Sequence, residues 1–399
     1  MFLGIDDTDS PGGMCTTYLG ALVAEELASG GCHIQNMRLV RLNPNVPWKT
    51  RGNAGISIEF TGDPEFAFRT AETMVEKYAM FDCDNTNPGI VVCDTKPPSG
   101  FYYQALRGFC TVEETKARLD AIHARYHGYK NCRGLIGALA AVSAVLPDKT
   151  YEYLAYRRPE AFGMRKFEPE SFFESAQATA PHTWDTVDFA HRKVVCLPHG
   201  KDPVLYGIRG ESPEWVMKSA SLVRTEPVGR FVVWETNQGT DAHILQYDGE
   251  FQEGRSYRFT DVVTAVPVTH PGGHVSVRVG NVDCYAFEPT KWFRGAVRKL
   301  LPGDLVTVFG SYQKGVVHVE KFHLEVLARA EKRESPRCPE CGGRMTSAGA
   351  GKGYKCRECS GRVRTPVYEE REISVDWYEV PADARRHLAK PLVRMREAF

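Results

Sequence analysis

Two cysteine pairs, Cys338-Pro339-Glu340-Cys341 and Cys356-Arg357-Glu358-Cys359, lie fourteen residues apart and constrain the fold more tightly than any other feature of the chain. Each pair turns within four residues, so both of its thiolates reach one ion, and two such knuckles complete a closed tetrahedral sulfur site. Gly342-Gly343 supplies backbone freedom for the first turn. A catalytic zinc keeps one position open. Four thiolates leave none, so the pattern predicts a structural Zn²⁺ on Cys338, Cys341, Cys356 and Cys359, in a zinc ribbon over 335–366.

The ribbon is one part of a longer molecule. At 399 residues the chain exceeds a single ordinary core, and two to four domains are expected. Fifty basic and fifty acidic residues cancel, so nucleic-acid affinity requires local segregation of charge. Arg329 to Arg364 holds ten Lys or Arg against four Glu. Arg385, Arg386, Lys390, Arg394 and Arg396 against Glu397 are expected to extend that surface, with solvated charge as the plainer reading. The longest apolar run, Leu135 to Leu146, is interrupted by Gly137 and Ser143 and stops at Pro147, too short to span a bilayer. The opening Met1-Phe2-Leu3-Gly4-Ile5-Asp6 lacks the basic leader of a signal peptide, which predicts a cytoplasmic protein with no membrane partner and reduced thiols at the other cysteines.

Periodicity organises the rest. Strand-like runs at 2–5, 34–42, 55–60 and 89–93 alternate with helix-like runs at 14–28, 64–80, 112–127 and 135–146, predicting an α/β domain over 1–148. Strands at 151–156, 194–197 and 204–208, with helices at 169–178 and from Ser212, predict a small α+β domain over 149–225. Short strands from Gly229 to Leu324 with Gly-bearing turns predict a β-barrel over 226–328, and 367–399 is read as a basic tail.

The richest chemistry sits near the start. Asp6, Asp7 and Asp9 follow a buried strand, and three carboxylates in four residues repel unless a cation such as Mg²⁺ relieves them. An acidic loop is equally often just solvated. Gly12-Gly13-Met14-Cys15-Thr16-Thr17 follows at a helix start, where N–H groups attract phosphate, so Thr16 or Thr17 is a phosphate contact, a phosphoryl acceptor or an ordinary helix hydroxyl. Lys49, Arg51, Gly52 and Asn53, and Arg133 with Gly134, pair cations with glycine or amide and suit a triphosphate, although both segments also read as turns. Thr86-Asn87-Pro88-Gly89 is read as a turn first.

Gly4-Ile5-Asp6-Asp7-Thr8-Asp9-Ser10 and Gly13-Met14-Cys15-Thr16-Thr17-Tyr18-Leu19 resemble the opening of the archaeal tRNA-Ile 2-agmatinylcytidine synthetase family. The likeness continues in order through Arg41-Leu42-Asn43-Pro44, 49–53, 86–89, 133–139, 203–211 and Thr236-Asn237-Gln238-Gly239-Thr240-Asp241 to the cysteine knuckles. Pro11-Gly12 falls where members vary. The resemblance implies an enzyme that joins agmatine to C-2 of the wobble cytidine in the CAU anticodon of tRNA-Ile. ATP is consumed to AMP and diphosphate, and a phosphorylated cytidine is the intermediate. It implies a multidomain chain with a kinase-like α/β catalytic domain, a ferredoxin-like α+β domain, an OB-fold and the ribbon. It makes Asp6, Asp7 and Asp9 the Mg²⁺ and phosphate carboxylates and Thr16 the phosphorylated threonine.

Agmatine is a dication whose guanidinium suits carboxylates, which makes Asp202 and Glu211 candidates for its binding. Trp234, Tyr285, Phe287, Trp292 and Phe293, near Arg294, Arg298 and Lys299, offer RNA stacking, or else are core aromatics. Two rival readings stand beside this one. Asp7-Thr8-Asp9 after a strand also resembles haloacid-dehalogenase-type phosphohydrolases, and an OB-fold with a zinc ribbon also suits a non-catalytic nucleic-acid binder.

Overall fold

The computed structural model describes the chain except residues 51, 199, 201, 202, 333, 334, 365, 366 and 396–399. It divides into two compact units, one of Met1–Arg258, Phe309–Lys314 and Glu379–Phe399, the other of Phe259–Val308 and Gly315–Tyr378.

The first unit begins with β1 (Phe2–Asp6), α1 (Thr16–Ser29), β2 (His33–Arg41), β3 (Ala54–Thr61), α2 (Pro64–Tyr78) and β4 (Gly89–Cys93). These are followed by α3 (Gly100–Arg107), α4 (Val112–Ala121), β5 (Arg125–Gly128) and α5 (Gly134–Val142). It continues through β6 (Thr150–Arg157), α6 (Pro169–Thr179), β7 (Thr183–Trp184), β8 (Val187–Asp188), β9 (Lys193–Val194), β10 (Val204–Gly210), α7 (Pro213–Leu222) and β11 (Val228–Thr236). One nine-stranded sheet has the order β5-β4-β1-β3-β2-β11-β6-β10-β7. Its neighbours β1, β3 and β4 pair antiparallel, and only the short β2–β11 contact is parallel.

Strand alternation sorts the core. In β4, Ile90 and Val92 join the cluster under α1 and α2, while Val91 and Cys93 join the one under α3, α4 and α5. The central strands therefore read as continuous apolar runs, because both faces are covered. Helix α5 lies unusually close to the sheet. A Cβ at Gly4 would sit 2.4 Å from the Ala138 carbonyl, and one at Gly137 only 1.6 Å from an Asp6 carboxylate oxygen. These glycines bring the start of α5 against the end of β1, where the acidic loop begins.

Three expectations fail here. The helix read over 112–127 ends at Ala121, because His123 turns with φ 51 and Arg125–Gly128 pairs with β4 as an edge strand. Gly229 to Glu235, read as a barrel strand, is β11 in the first sheet, where eight of its positions pair with β6. Strand β9 is shorter than the run read at 194–197 and pairs with β8 apart from the main sheet. Strand β12 (Ile244–Gln246) pairs in parallel with the first residues of β13 (Ser256–Val262).

The second unit holds the rest of β13, then β14 (Val268–Thr269), β15 (Val275–Val279), β16 (Val282–Ala286), α8 (Trp292–Arg298), the first residues of β17 (Leu305–Gln313) and β18 (Val316–Val326). The order is β13-β17-β18-β16-β15-β14, an open path. The expected β-barrel is not closed among the described residues. Strand β14 has two residues, too few to carry a ladder across, and β13 meets β15 only at the bridge Val263↔Val279. Beyond β19 (Ala330–Lys332), β20 (Met345–Ser347), β21 (Tyr354–Cys356) and β22 (Arg362–Val363) form a three-stranded sheet, and β23 (Val367–Glu369) returns to β19. Arg371 anchors this return, gripping the fully buried Asp304 through Nη2 at 2.9 Å.

Candidate active site and cysteine cluster

A cavity of about 460 Å³ opens in the first unit, and the acidic loop forms one wall. Asp7 takes φ 59, and its backbone N–H donates to Asp6 Oδ1 at 2.6 Å. The turn at 86–89 holds the loop from outside. Thr86 Oγ1 donates to the Asp9 carbonyl at 2.6 Å, and the Asn87 N–H donates to Asp7 Oδ2 at 3.2 Å. Thr50 Oγ1 donates to Asp9 Oδ1 at 3.0 Å. Thr16, on the first turn of α1, is buried and accepts a hydrogen bond from Thr8 Oγ1 at 3.0 Å. Thr17 instead contacts Cys15 Sγ, so geometry joins Thr16 to the acidic loop.

The charge on this wall is incompletely compensated. Burial raises the Asp6 carboxyl well above the usual range, and the negative charges of Asp7 and Asp9 add to it. Burial raises Asp7 to about 6 against the opposing pull of Arg133, whose guanidinium lies 3.6 Å away. Added positive charge would relieve both. The three carboxylates do not form a ready cage, however. Among the described residues the only set of three or more His, Cys, Asp or Glu with ligating atoms all within 4.8 Å of one another is the cysteine set.

The assembly of the opposite wall was not legible in the sequence. Arg41 at the end of β2 and Arg209 on β10 share the buried Glu152 of β6, at 4.0 and 3.3 Å. Gln238 completes this group, donating to Glu152 Oε2 at 2.6 Å and accepting from Arg41 Nε at 3.3 Å. Burial, opposed by Glu152 and assisted by Arg209, lowers the Arg41 guanidinium to about 10. Asp185, Arg385 and His387 also line the cavity. Arg41, Arg209 and Gln238 fall in blocks that carry the family resemblance, but no spacing joins them to Glu152, Asp185, Arg385 and His387, which come from other strands and loops.

Of the residues expected at a nucleotide, Lys49, Gly52, Asn53 and Arg133 line the cavity with Asp6, Asp7, Asp9 and Thr16. Lys49 Nζ donates to the Val46 carbonyl, and Asn53 Nδ2 to that of Asn43. Gly134 is not in the lining. Its N–H is taken by the Asn87 carbonyl at 2.9 Å, and its missing Cβ admits β4. Glu211 is also elsewhere, held by Arg394 Nε at 2.6 Å. Arg51 and Asp202 lie outside the described residues.

The described C-terminal cations, expected to extend that surface, have partners within the first unit instead, and Arg396 lies outside the described residues. Arg394 pairs with Glu211 and Asp148, Lys390 with Asp148, Arg385 with Asp185, and Arg386 donates to Asn45. Trp234, offered for stacking, is fully buried with its Nε1–H on the Tyr156 hydroxyl at 3.2 Å. Phe293 is likewise core, Tyr285 and Phe287 are half-buried, and Trp292 is exposed.

The cysteine cluster forms as the spacing predicts. Cys338 Sγ lies 3.4 Å from Cys359 Sγ, and Cys341 Sγ 3.5 Å from Cys356 Sγ, close to the roughly 3.8 Å sulfur separation around a tetrahedral zinc. Backbone N–H groups of Cys359 and Glu358 lower Cys356 to about 7, favouring thiolate. Arg337, Arg344, Lys352, Lys355, Arg357, Arg362 and Arg364 are all exposed on this unit. Among the described residues no helix is long and apolar enough to cross a membrane.

Fold and site together define a class, a multidomain enzyme that sets a cavity lined by carboxylates and guanidiniums on a mixed α/β unit and carries a zinc-ribbon domain. Family models match over most of the length: the TiaS TCKD domain at residues 2–131, the TiaS FLD domain at 132–243 and the TiaS C-terminal zinc ribbon domain at 335–374. The tRNA-Ile 2-agmatinylcytidine synthetase TiaS of Methanocorpusculum labreanum is 60% identical, with 100% of this chain and 97% of the relative covered. Two solved structures, a complex of TiaS with its isoleucine tRNA and ATP (TM-score 0.90, 41% identity) and one with the tRNA, AMPCPP and agmatine (0.87, 40%), each match 99% of this chain and 97% of theirs. The chain belongs to the tRNA-Ile 2-agmatinylcytidine synthetase (TiaS) family.

Proposed function

We propose that this protein uses ATP to join agmatine to C-2 of the wobble cytidine in the CAU anticodon of tRNA-Ile. The observation that carries the reading is the cavity, which gathers Asp6, Asp7, Asp9, Thr16, Lys49, Asn53 and Arg133 in a chain that matches the ATP- and agmatine-bound relatives along 99% of its length. Neither a phosphohydrolase of haloacid-dehalogenase type nor a non-catalytic binder has such support.

The C-2 oxygen of cytidine is a poor leaving group, so phosphorylation precedes displacement by the primary amine of agmatine. Lys49, Arg133 and Asn53 neutralise and orient the nucleotide phosphates. Thr16, free to donate its hydroxyl proton, is the phosphoryl acceptor of the protein. The underbalanced charge on Asp6 and Asp7 fits Mg²⁺, which takes few protein carboxylates and completes its shell with water and phosphate. Asp6, Asp7 and Asp9 would hold it, and when bound it supplies charge neutralisation at the phosphates. The remaining agmatine candidate, Asp202, keeps its place as the carboxylate for the guanidinium; Glu211, already paired, does not.

The four cysteines hold a structural Zn²⁺, and the exposed cations of that unit contact tRNA phosphates. For the domains, 1–148 is the kinase-like unit. The strand order β11-β6-β10-β7 around α6 and α7 supports a ferredoxin-like second domain that runs past 225 to include β11. The β13–β18 sheet is a partly open OB-fold, followed by the ribbon at 335–366 and a C-terminal segment at 367–399. The protein works in the cytoplasm, where its tRNA is found.

Incubation with ATP, Mg²⁺, agmatine and a tRNA-Ile transcript, followed by nucleoside mass spectrometry, tests the reading. A new nucleoside at the mass of agmatinylated cytidine is expected. An unmodified cytidine pool with active protein would refute it.

A further inference from the structure

Apart from Arg209 and Gln238 in the cavity wall, two sequence blocks have no task in the account so far, Pro203 to Glu211 and Thr236 to Asp241. The structure gives them a shared one. Asn237 accepts the Arg41 N–H at 2.8 Å and donates to the Arg41 carbonyl at 2.9 Å, while Gln238 holds the Arg41 side chain and Glu152 together. The next residues grip the end of the chain. Gly239 N–H donates to the His387 carbonyl at 2.8 Å, and the N–H groups of Thr240 and Asp241 both donate to the Leu388 carbonyl. Asp241 Oδ1 takes the Lys390 N–H at 2.7 Å, and Glu211 takes Arg394. The two blocks are a latch that delivers a remote segment to the cavity wall.

What the latch delivers is the His387 imidazole. Arg209 is held from three sides, by Glu152 Oε1 at 3.3 Å, Asp185 Oδ2 at 3.8 Å and His387 Nδ1 at 2.6 Å. The histidine contact is the shortest. Nδ1 accepts there, so the ring is neutral with its proton on Nε2. Burial, then the charges of Arg41 and Arg209, hold its basicity well below the ordinary value, which keeps it an acceptor. The ring also lies against the nucleotide loop, since a Cβ at Gly52 would stand 3.1 Å from Nε2 and 2.8 Å from Arg41 Nη1. Glu152 and Asp185 already offset part of the charge on Arg41 and Arg209, and a neutral acceptor fixes Arg209 without adding a third carboxylate.

We propose that His387 is a positioning residue, latched into the cavity wall by residues 236–241, which fixes Arg209 beside Arg41 so that the two cations meet a phosphate group of the substrate. The inference rests on the reading of the cavity as the nucleotide-dependent synthetase site.

The test compares His387→Ala with His387→Asn, whose side-chain oxygen replaces the Nδ1 acceptor, in the full chain with ATP, Mg²⁺, agmatine and tRNA-Ile. H387A lowers kcat/KM for ATP by about 10- to 100-fold through misplacement of Arg209, H387N recovers most of it, and the Kd for tRNA is unchanged in both. A cycle with Arg209→Lys guards against misfolding: if His387 acts through Arg209, H387A adds little further loss in the R209K background. H387A with wild-type turnover, or a full additional loss on R209K, would overturn the proposal. A wild-type chain that makes no modified nucleoside would instead overturn the functional reading on which it rests.

Discussion

Replacing Asp7 by Asn should make the free protein more stable while stopping its chemistry. Burial holds the Asp7 carboxyl at about 6 against an ordinary 3.8, a difference already reduced by Arg133 at 3.6 Å. At 1.36 kcal/mol per pH unit this corresponds to about 3 kcal/mol of folding free energy. The sign follows from proton linkage. Below pH 3.8 the proton is bound in both states and nothing is lost. Between 3.8 and 6 the unfolded chain releases it while the folded chain retains it, so stability falls as pH rises, and above 6 the full penalty is present. Asn keeps an acceptor for the Asn87 N–H and carries no charge. Without nucleotide or added Mg²⁺, Asp7→Asn should therefore exceed wild type by up to about 3 kcal/mol at pH 7.5, or several degrees in Tm, and the gap should close near pH 4. ATP with Mg²⁺ should then raise the Tm of wild type more than that of the variant. Denaturation curves at both pH values decide the matter. A D7N protein less stable than wild type at pH 7.5, or a gap independent of pH, would refute the claim that this loop carries uncompensated charge.

Other perturbations have equally definite outcomes. Gly137→Ala places a methyl 1.6 Å from an Asp6 oxygen, and nucleoside mass spectrometry should show product formation reduced about 100-fold while tRNA affinity is retained. Cys338→Ser should release the metal measured by elemental analysis in wild type and unfold the ribbon, whose core of Cys338, Met345 and Cys356 is too small to hold alone. Arg394→Met leaves Glu211 and Asp148 without their shared cation, and a loss of about 2 kcal/mol should appear as a lowered Tm. Wild-type stability in R394M would show that the C-terminal latch is dispensable.

What the sequence determined by itself is what short-range geometry encodes. Four cysteines at fixed spacing close on one point because a knuckle is a property of four consecutive residues. Strand, acidic loop and helix at 2–29 were legible for the same reason, and so was Thr16 beside the acids, since the loop between them is only a few residues long. Tertiary structure decided the rest. Glu152, Arg209 and His387 form one wall although 178 positions separate the last two, because adjacent strands and a returning chain end bring them together. The C-terminal arginines looked like a surface for RNA, since charge in a sequence carries no sign of burial; only the fold supplied Asp148, Asp185 and Glu211 as their partners. Trp234 has the same composition signal in a core as on a platform, and pairing between β11 and β6 placed it in the core. Local chemistry wrote the acids and the cysteines, and long-range strand pairing chose which cations face them.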